Sequence, residues 1–204
     1  MPNEIRTVPA TDERWADVQA VLHGGGDGPS CQCMWQVIRA KDWSATTVDE
    51  KRELLHDEVT AGDPAPGLLV YVDGEAAGWV RVGPRPPLAR LVASRIVRSG
   101  SREPLDDPDV WAVSCFSVRR DQRGRGVVAV LLDAAVDAAR AGGARVLEGY
   151  PFDLAAGPRT SNELYHGALS TFEAAGFEVV ARPTPARAVV ALDLGERRDG
   201  ITSL

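Results

Sequence analysis

The chain has 204 residues, of which 44% are hydrophobic, and its formal net charge is −6. This apolar content is sufficient for one full core, so we predict a single domain over residues 1–204. The acidic total argues against a nucleic-acid partner. No signal-peptide pattern, no 18-residue apolar run and an odd number of cysteines (three) predict a cytoplasmic protein without a membrane partner.

The first third of the chain is predicted to contain one edge strand and two helices. Residues 5–9 suit a short strand, and the apolar spacing over 11–22 predicts a helix. Thr47 and Glu50 have the spacing of a capping box, which predicts the start of a second helix.

A cysteine-containing loop joins these two helices. Its central residues read Cys31-Gln32-Cys33-Met34-Trp35. Together with His23, the Cys-x-Cys pair fits no common zinc spacing and lacks an evident fourth ligand, so we expect no metal.

The next segment is predicted to form a hairpin followed by a long strand. Asp73-Gly74 lies between the apolar runs 68–72 and 76–82, which is the pattern of a type I′ turn. A short helix is expected around 88–95, and an apolar strand over Val110–Val118.

The turn after this strand is the most informative part of the chain. Residues 119–125 contain four arginines and one aspartate, a local +3 in an acidic protein, and include Gly124; Gly126 follows, before a helix starts at Val127. A strand, a glycine-rich turn and a helix N-terminus in this order predict an anion site. A P-loop is excluded because the chain has no Gly-Lys pair, and the dinucleotide fingerprint lacks its third glycine.

The remainder predicts a regular alternation of helices and strands. We expect a helix over Val127–Ala141, because its polar side chains form one narrow stripe, and then a strand over 145–150. A helix over 165–177 and a final hairpin of 177–181 with 188–194 should follow, and residues 195–204 should form a frayed tail.

The turn resembles the pyrophosphate-binding motif of the GNAT superfamily of acyl-CoA-dependent N-acyltransferases. The corresponding residues are Arg123-Gly124-Arg125-Gly126-Val127-Val128, although Val128 stands where the motif usually has glycine or alanine. Further along, Ala168, Gly176 and Phe177 match the family pattern, whereas Phe172 replaces its tyrosine. The resemblance covers about 66–194.

This resemblance implies an α/β (α+β) fold and an acyl donor. The fold would be a mixed, mostly antiparallel sheet of six to seven strands with about four flanking helices. Strands four and five would splay apart to admit acetyl-CoA as cosubstrate. The residues expected to bind it are Phe116, Val118, Arg123, Gly124, Arg125, Gly126, Val127 and Val128. Residues 66–194 would form the part of the domain that binds acyl-CoA. Residues 1–65 would form the lid on the acceptor side.

The resemblance also implies direct acyl transfer to an amine. Glu148 is a candidate general base, with a structural ion pair to an arginine as the alternative role; His166 is a further candidate base. Because Phe172 has no hydroxyl, Tyr165 on the same predicted helix is the candidate acid, with Tyr150 as another. Transfer without an acid is also open, since a CoA thiolate is a tolerable leaving group.

Aromatic residues of the lid imply a small-molecule amine acceptor. Trp35 and Trp79 are the candidate acceptor-binding residues, and a small core under a long loop is the alternative role for them. Two other functions stay open: a CoA-binding regulatory protein with little catalysis, and a protein-lysine acetyltransferase. A homodimer is possible on this scaffold.

Overall fold

The computed structural model describes residues 4–195, so the predicted frayed tail beyond Gly195 lies outside the described residues. The described residues form one seven-stranded sheet. Its strands are β1 (Ile5–Pro9), β2 (Gly67–Val72), β3 (Glu75–Pro84), β4 (Val110–Val118), β5 (Val146–Gly149), β6 (Glu178–Thr184) and β7 (Arg187–Asp193). The helices are α1 (Trp15–His23), α2 (Gly28–Cys31), α3 (Val48–Ala61), α4 (Ala89–Ala93), α5 (Arg95–Gly100), α6 (Val127–Ala141) and α7 (Leu169–Ala174).

The sheet is mixed and mostly antiparallel, as predicted. Its strand order is β1-β2-β3-β4-β5-β7-β6. Strands β4 and β5 are parallel, and every other neighbouring pair is antiparallel. The predicted class of fold is therefore confirmed.

The one parallel pair opens partway along its length. Residues Val110–Val113 of β4 pair with Val146–Gly149, and β5 then ends. Strand β4 continues to Val118 and remains paired with β3 on its other side. The second half of β4 therefore has one edge that β5 does not cover, which is the predicted splay.

Helix α6 covers one face of the sheet because most of its circumference is apolar. Leu131, Leu132 and Ala135 are fully buried and belong to the main core with residues of β2, β3 and β4. On the other face, α1 and α3 cover one part of the sheet, and α4 and α5 cover another. No helix within residues 4–195 has the length and apolarity to cross a membrane.

Two local predictions are confirmed in atomic detail. Thr47 accepts a hydrogen bond from the Glu50 amide, and the Glu50 carboxylate accepts one from the Thr47 amide, which completes the capping box of α3. In the hairpin between β2 and β3, Asp73 and Gly74 both have positive φ, at 51° and 85°. Positive φ at both central positions is what a type I′ turn requires.

The predicted helix over 165–177 is wrong in its first part. Residues Glu163–His166 form a short 3₁₀ turn, Gly167 has a φ of 80°, and α7 begins only at Leu169. Because this positive φ breaks the helix, Tyr165 and Phe172 do not lie on one helix. The segment predicted as a cysteine-containing loop between the first two helices also contains the short helix α2.

Candidate active site

The glycine-rich turn brings a helix N-terminus to the open edge of β4. Gly124 and Gly126 have φ values of 74° and 76°, and a Cβ atom at either position would meet open space. The turn therefore needs glycine for its backbone conformation, not for close packing. Gly126 precedes the first turn of α6, where the amides of Val127 and Val128 have no acceptor within the helix. These amides and the positive end of the helix dipole favour an anion.

The four arginines of the turn differ in their partners. Arg119 pairs with Asp121 at 2.8 Å, and Arg125 lies 3.9 Å from Asp73 and donates to Gln122 at 2.6 Å. In residues 4–195 no acidic side chain pairs with Arg120 or Arg123. The Nε of Arg123 donates to the carbonyl of Val118 at 3.3 Å, which holds its guanidinium beside the end of β4.

The free edge of β4 offers main-chain groups. The Arg119 amide donates to Ala77 of β3 at 3.0 Å, so Arg119 and Ser117 face β3. Because successive residues of a strand alternate in direction, the main-chain groups of Phe116 and Val118 face the opposite edge. That edge is the one that β5 leaves uncovered.

A cavity of about 690 Å³ connects the turn, this free edge and the cysteine-containing loop. Asp27 is the one acidic residue among those that line it. Its walls include Leu22, Gly25, Gly26, Asp27, Cys31, Cys33, Trp35, Gln36, Trp43, Cys115, Phe116, Ser117, Val118, Arg123, Gly124, Gly126, Val127, Val128, Asn162, Leu164 and Tyr165. The predicted donor-side residues therefore meet at one cavity, with one exception. Arg125 does not line it, and its guanidinium lies between Gln122 and Asp73.

Glu148 does not lie at the cavity. Its carboxylate is fully buried on the opposite side of the splay, where it accepts hydrogen bonds from Arg85 at 2.6 Å, Ser101 at 2.6 Å and Tyr150 at 2.8 Å. The structure therefore places Glu148 in the alternative role, a structural ion pair, and does not bring its carboxylate to the cavity as a general base. Tyr150 donates to the same buried carboxylate and does not line the cavity either.

Tyr165 lines the cavity although it is not on α7. Its ring lies against the His166 ring with a centroid distance of 4.1 Å. Burial raises the pKa of Tyr165 above its ordinary value, with a smaller contribution from Cys115. The hydroxyl therefore stays protonated in neutral solution and can donate a proton. His166 is buried, and burial lowers its pKa well below the ordinary value, so its ring is neutral.

The two tryptophans predicted for acceptor binding have different places. Trp35 lines the cavity, and its ring meets Trp43 edge-on at 4.8 Å and the Arg90 guanidinium at 3.8 Å. Trp79 is fully buried in the core, and its indole N–H donates to the Cys33 sulfur at 3.0 Å. Trp79 is therefore a core residue, and it is not among the residues that line the cavity.

The sequence also matches a known protein family. The model of the acetyltransferase (GNAT) family matches residues 33–156, which is more than half of the chain. The chain belongs to the GNAT acetyltransferase family. The match begins at Cys33, within the cysteine-containing loop, and includes the splayed strand β4 and the glycine-rich turn. No curated protein matches the chain.

Solved structures agree with the fold of this GNAT protein. An N-acetyltransferase from Staphylococcus aureus Mu50 is similar with a TM-score of 0.54 at 16% identity, covering 94% of this chain and 99% of that one. A GNAT-family acetyltransferase from Streptococcus pneumoniae gives 0.52 at 15% identity, covering 94% and 100%. The PaiA N-acetyltransferase from Thermoplasma acidophilum, solved in complex with coenzyme A, gives 0.53 at 10% identity, covering 93% and 99%. At these identities the likeness shows the fold alone.

The described residues contain no candidate metal site. No group of three or more His, Cys, Asp or Glu side chains within residues 4–195 is arranged to hold an ion. The Cys-x-Cys pair instead contacts protein groups. The sequence did not predict the interactions of Cys33 with Trp79 and Cys115, because these partners lie far along the chain.

Proposed function

We propose that this GNAT protein transfers an acetyl group from acetyl-CoA to the primary amine of a small molecule. The observation that carries the proposal is the single cavity that joins the glycine-rich turn, the free edge of β4 and the aromatic loop. These three parts match the diphosphate, the pantetheine arm and the acceptor in order along the cavity.

On the donor side, the diphosphate would bind at the first turn of α6. The amides of Val127 and Val128 point toward it, and Arg123 supplies a guanidinium that no carboxylate in the described residues neutralises. Val128 lines the cavity with its amide available despite its β-branched side chain. The fold neighbour from Thermoplasma acidophilum, which is a coenzyme A complex, supports this donor class.

The amide-rich arm would then bind along β4. The main-chain groups of Phe116 and Val118 can pair with it as they would with an added strand. The amide of Phe116 would hold the thioester oxygen and stabilise the negative charge that develops when an amine attacks. The nitrogen forms a bond to the acyl carbon, the C–S bond to CoA breaks, and the attacking nitrogen loses one proton to solvent.

On the acceptor side, the walls favour a neutral amine. An alkylamine with a pKa near 10.4 is uncharged in about one molecule in a thousand at pH 7.4. The side chains of Leu22, Trp35 and Trp43 exclude water, which lowers the pKa of a bound ammonium group. Tyr165 would protonate the departing thiolate, since burial keeps its hydroxyl un-ionised.

A thiol-release assay tests the activity. The protein is mixed with acetyl-CoA and a panel of small amines, and free CoA is measured with a thiol reagent in solution. We expect CoA release that depends on one class of amine. A protein that binds acetyl-CoA but releases no thiol with any amine would instead be a CoA-binding regulatory protein, a role favoured by the withdrawal of Glu148 from the cavity. Acetylation confined to lysines of a peptide mixture would indicate a protein-lysine acetyltransferase.

A further inference from the structure

Two cysteines meet on the wall of the cavity. Cys33 follows α2, and Cys115 lies in the half of β4 that β5 leaves uncovered. Their side chains are hydrogen-bonded to each other, and both residues line the cavity. Two cysteines from segments that are distant in sequence therefore interact on the same cavity wall, beside Phe116.

The backbone around Cys33 is unusual. Gln32 and Cys33 have φ values of 49° and 56°, so two consecutive non-glycine residues are left-handed. Such a conformation is unfavourable for residues with a Cβ atom and persists only when neighbouring contacts hold it. Here it directs the Cys33 side chain inward, where it is 3% exposed.

Three groups act on the Cys33 sulfur. The indole N–H of Trp79 donates to it at 3.0 Å, the Cys115 thiol interacts with it, and the Arg81 guanidinium, which donates to the neighbouring Met34 sulfur at 3.5 Å, adds a positive charge nearby. Arg81 is itself buried, 4% exposed, and pairs with Glu58 at 2.7 Å. A sulfur with a guanidinium and two further donors is suited to carry a negative charge.

The ionisation of the three cysteines in the cavity differs accordingly. Burial alone raises the pKa of Cys33, but the Cys115 hydrogen bond and the Arg81 charge outweigh it and lower the pKa to about 6. The hydrogen bond to Cys33 raises the pKa of Cys115 well above its ordinary value, so Cys115 keeps its proton. Burial, followed by the Cys33 charge, raises the pKa of Cys31 to about 11. These directions favour a thiolate at Cys33 and thiols at Cys31 and Cys115.

We propose that Cys33 and Cys115 form a peroxide-sensitive pair on the wall of the cavity, in which Cys33 is oxidised first and Cys115 closes a disulfide. In the first step the Cys33 thiolate attacks hydrogen peroxide, the O–O bond breaks, and a sulfenic acid and hydroxide form. In the second step the Cys115 sulfur bonds to the Cys33 sulfur, and its proton leaves with the hydroxyl group as water. Both thiols are oxidised and one peroxide is reduced, as for redox-sensing cysteines beside a resolving thiol.

A disulfide between Cys33 and Cys115 would change the candidate active site. A disulfide would tie the cysteine-containing loop to β4 next to Phe116, where the proposed function places the thioester. Resting on that function, we expect the oxidised protein to lose its transferase activity and to regain it after treatment with dithiothreitol. Bound acetyl-CoA should slow the oxidation, since peroxide reaches Cys33 only through the cavity that the donor fills.

The test treats the full-length protein with hydrogen peroxide and follows intact mass and peptide maps. We expect the wild type to lose two hydrogen atoms and to yield a peptide pair linked through Cys33 and Cys115. Cys115→Ser should stop at a sulfenic acid that dimedone traps on Cys33, and Cys33→Ser should not react. Cys31→Ser is the matched control from the same cavity and should behave like the wild type. Oxidation of Cys31 in preference to Cys33, or the same disulfide yield in Cys33→Ser, would overturn the proposal.

A second readout needs no peroxide. The rate of alkylation by iodoacetamide at Cys33 should level off above a pH of about 6, whereas the rate at Cys31 should still rise above pH 9. The same pH dependence of the alkylation rate at Cys33 and Cys31 would contradict a thiolate at Cys33. Calorimetry of acetyl-CoA with the reduced protein separates the two ideas. If acetyl-CoA binds but no disulfide forms, the peroxide-sensitive pair is excluded and the proposed function stands. If the disulfide forms but acetyl-CoA does not bind, the proposed function is excluded and the pair stands.

Discussion

Glu148 and Arg85 form an ion pair at 2.6 Å in which neither side chain is exposed to solvent. Ser101 and Tyr150 complete the hydrogen bonding of the carboxylate, and Arg85 also donates to the carbonyls of Glu103 and Pro104. The pair therefore ties β5 to the end of β3, and its further hydrogen bonds tie both to the segment between α5 and β4. Its position explains why an acidic residue beside the splay takes no part in the cavity.

Glu148→Gln should destabilise the protein without changing its chemistry. The substitution leaves the Arg85 charge buried and uncompensated, which costs about 3–5 kcal/mol of unfolding free energy. Urea unfolding measures this loss, and the rate per folded molecule should keep its wild-type dependence on pH. Tyr150→Phe, which removes one hydrogen bond to the same carboxylate, is the control and should cost about 1 kcal/mol. A large fall in kcat at unchanged stability would return Glu148 to the role of general base.

Tyr165→Phe should slow acyl transfer while leaving donor binding intact. The hydroxyl lines the cavity, and its raised pKa keeps it protonated, so its loss removes the proposed proton donor. We expect kcat to fall by about 10²-fold, the low end for general acid catalysis, because a CoA thiolate leaves fairly readily. Steady-state kinetics with saturating amine measures the effect. An unchanged kcat would mean that the thiolate leaves without an acid.

Phe172→Tyr should not restore an acid, although it recreates the family residue. Phe172 is fully buried, and its ring lies against Phe116, Phe177 and the backbone of Gly149 and Gly167. An added hydroxyl there would be buried in an apolar surrounding, which costs about 1–3 kcal/mol. Thermal unfolding should show the loss, and kcat should not rise. A gain in kcat would show that this position reaches the thioester.

The dependence of rate on pH should follow the amine and not the protein. Below the ammonium pKa near 10.4, kcat/KM for an alkylamine should rise about tenfold per pH unit, because only the neutral amine attacks. The acid Tyr165 acts in its protonated form, and its pKa is raised above the ordinary value, so it removes no activity within this range. A plateau beginning near pH 5 would instead indicate a carboxylate base.

Much of the fold follows from local pattern. The bounds of β4 and of α6 match the prediction because an unbroken apolar run and a narrow polar stripe are sufficient to specify them. The glycine-rich turn was found for the same reason, since its function depends on backbone conformation within one short segment. Helix α7 was predicted too long because the effect of Gly167, a positive φ, is not visible in apolar spacing.

The direction of single side chains was harder to predict. Glu148 was placed at the splay, but its partner Arg85 lies 63 residues away in the sequence, and no local pattern connects them. Trp79 was grouped with Trp35 by residue type, whereas its partner, the Cys33 sulfur, comes from a loop 46 residues earlier. In both cases a long-range contact decides whether the side chain belongs to the cavity or to the interior.

Arg123→Ala should weaken acetyl-CoA binding more than Arg125→Ala. Arg123 lines the cavity without an acidic partner in the described residues, whereas Arg125 does not line it and lies between Gln122 and Asp73. Loss of a charged hydrogen bond costs about 1.5–3 kcal/mol, so Kd should rise about tenfold or more for Arg123→Ala alone. Equal effects of the two substitutions would place the diphosphate away from the cavity.

Calorimetric titration of acetyl-CoA into the wild type and into Gly126→Asp tests the central claim most directly. A carboxylate at the start of α6 would repel the diphosphate, and the open space at Gly126 means that no packing is disturbed, although the positive φ adds some strain. We predict a Kd at least 100-fold weaker for the variant, with little change in the thermal midpoint. Equal affinity in the two proteins would show that coenzyme A does not bind at the N-terminus of α6.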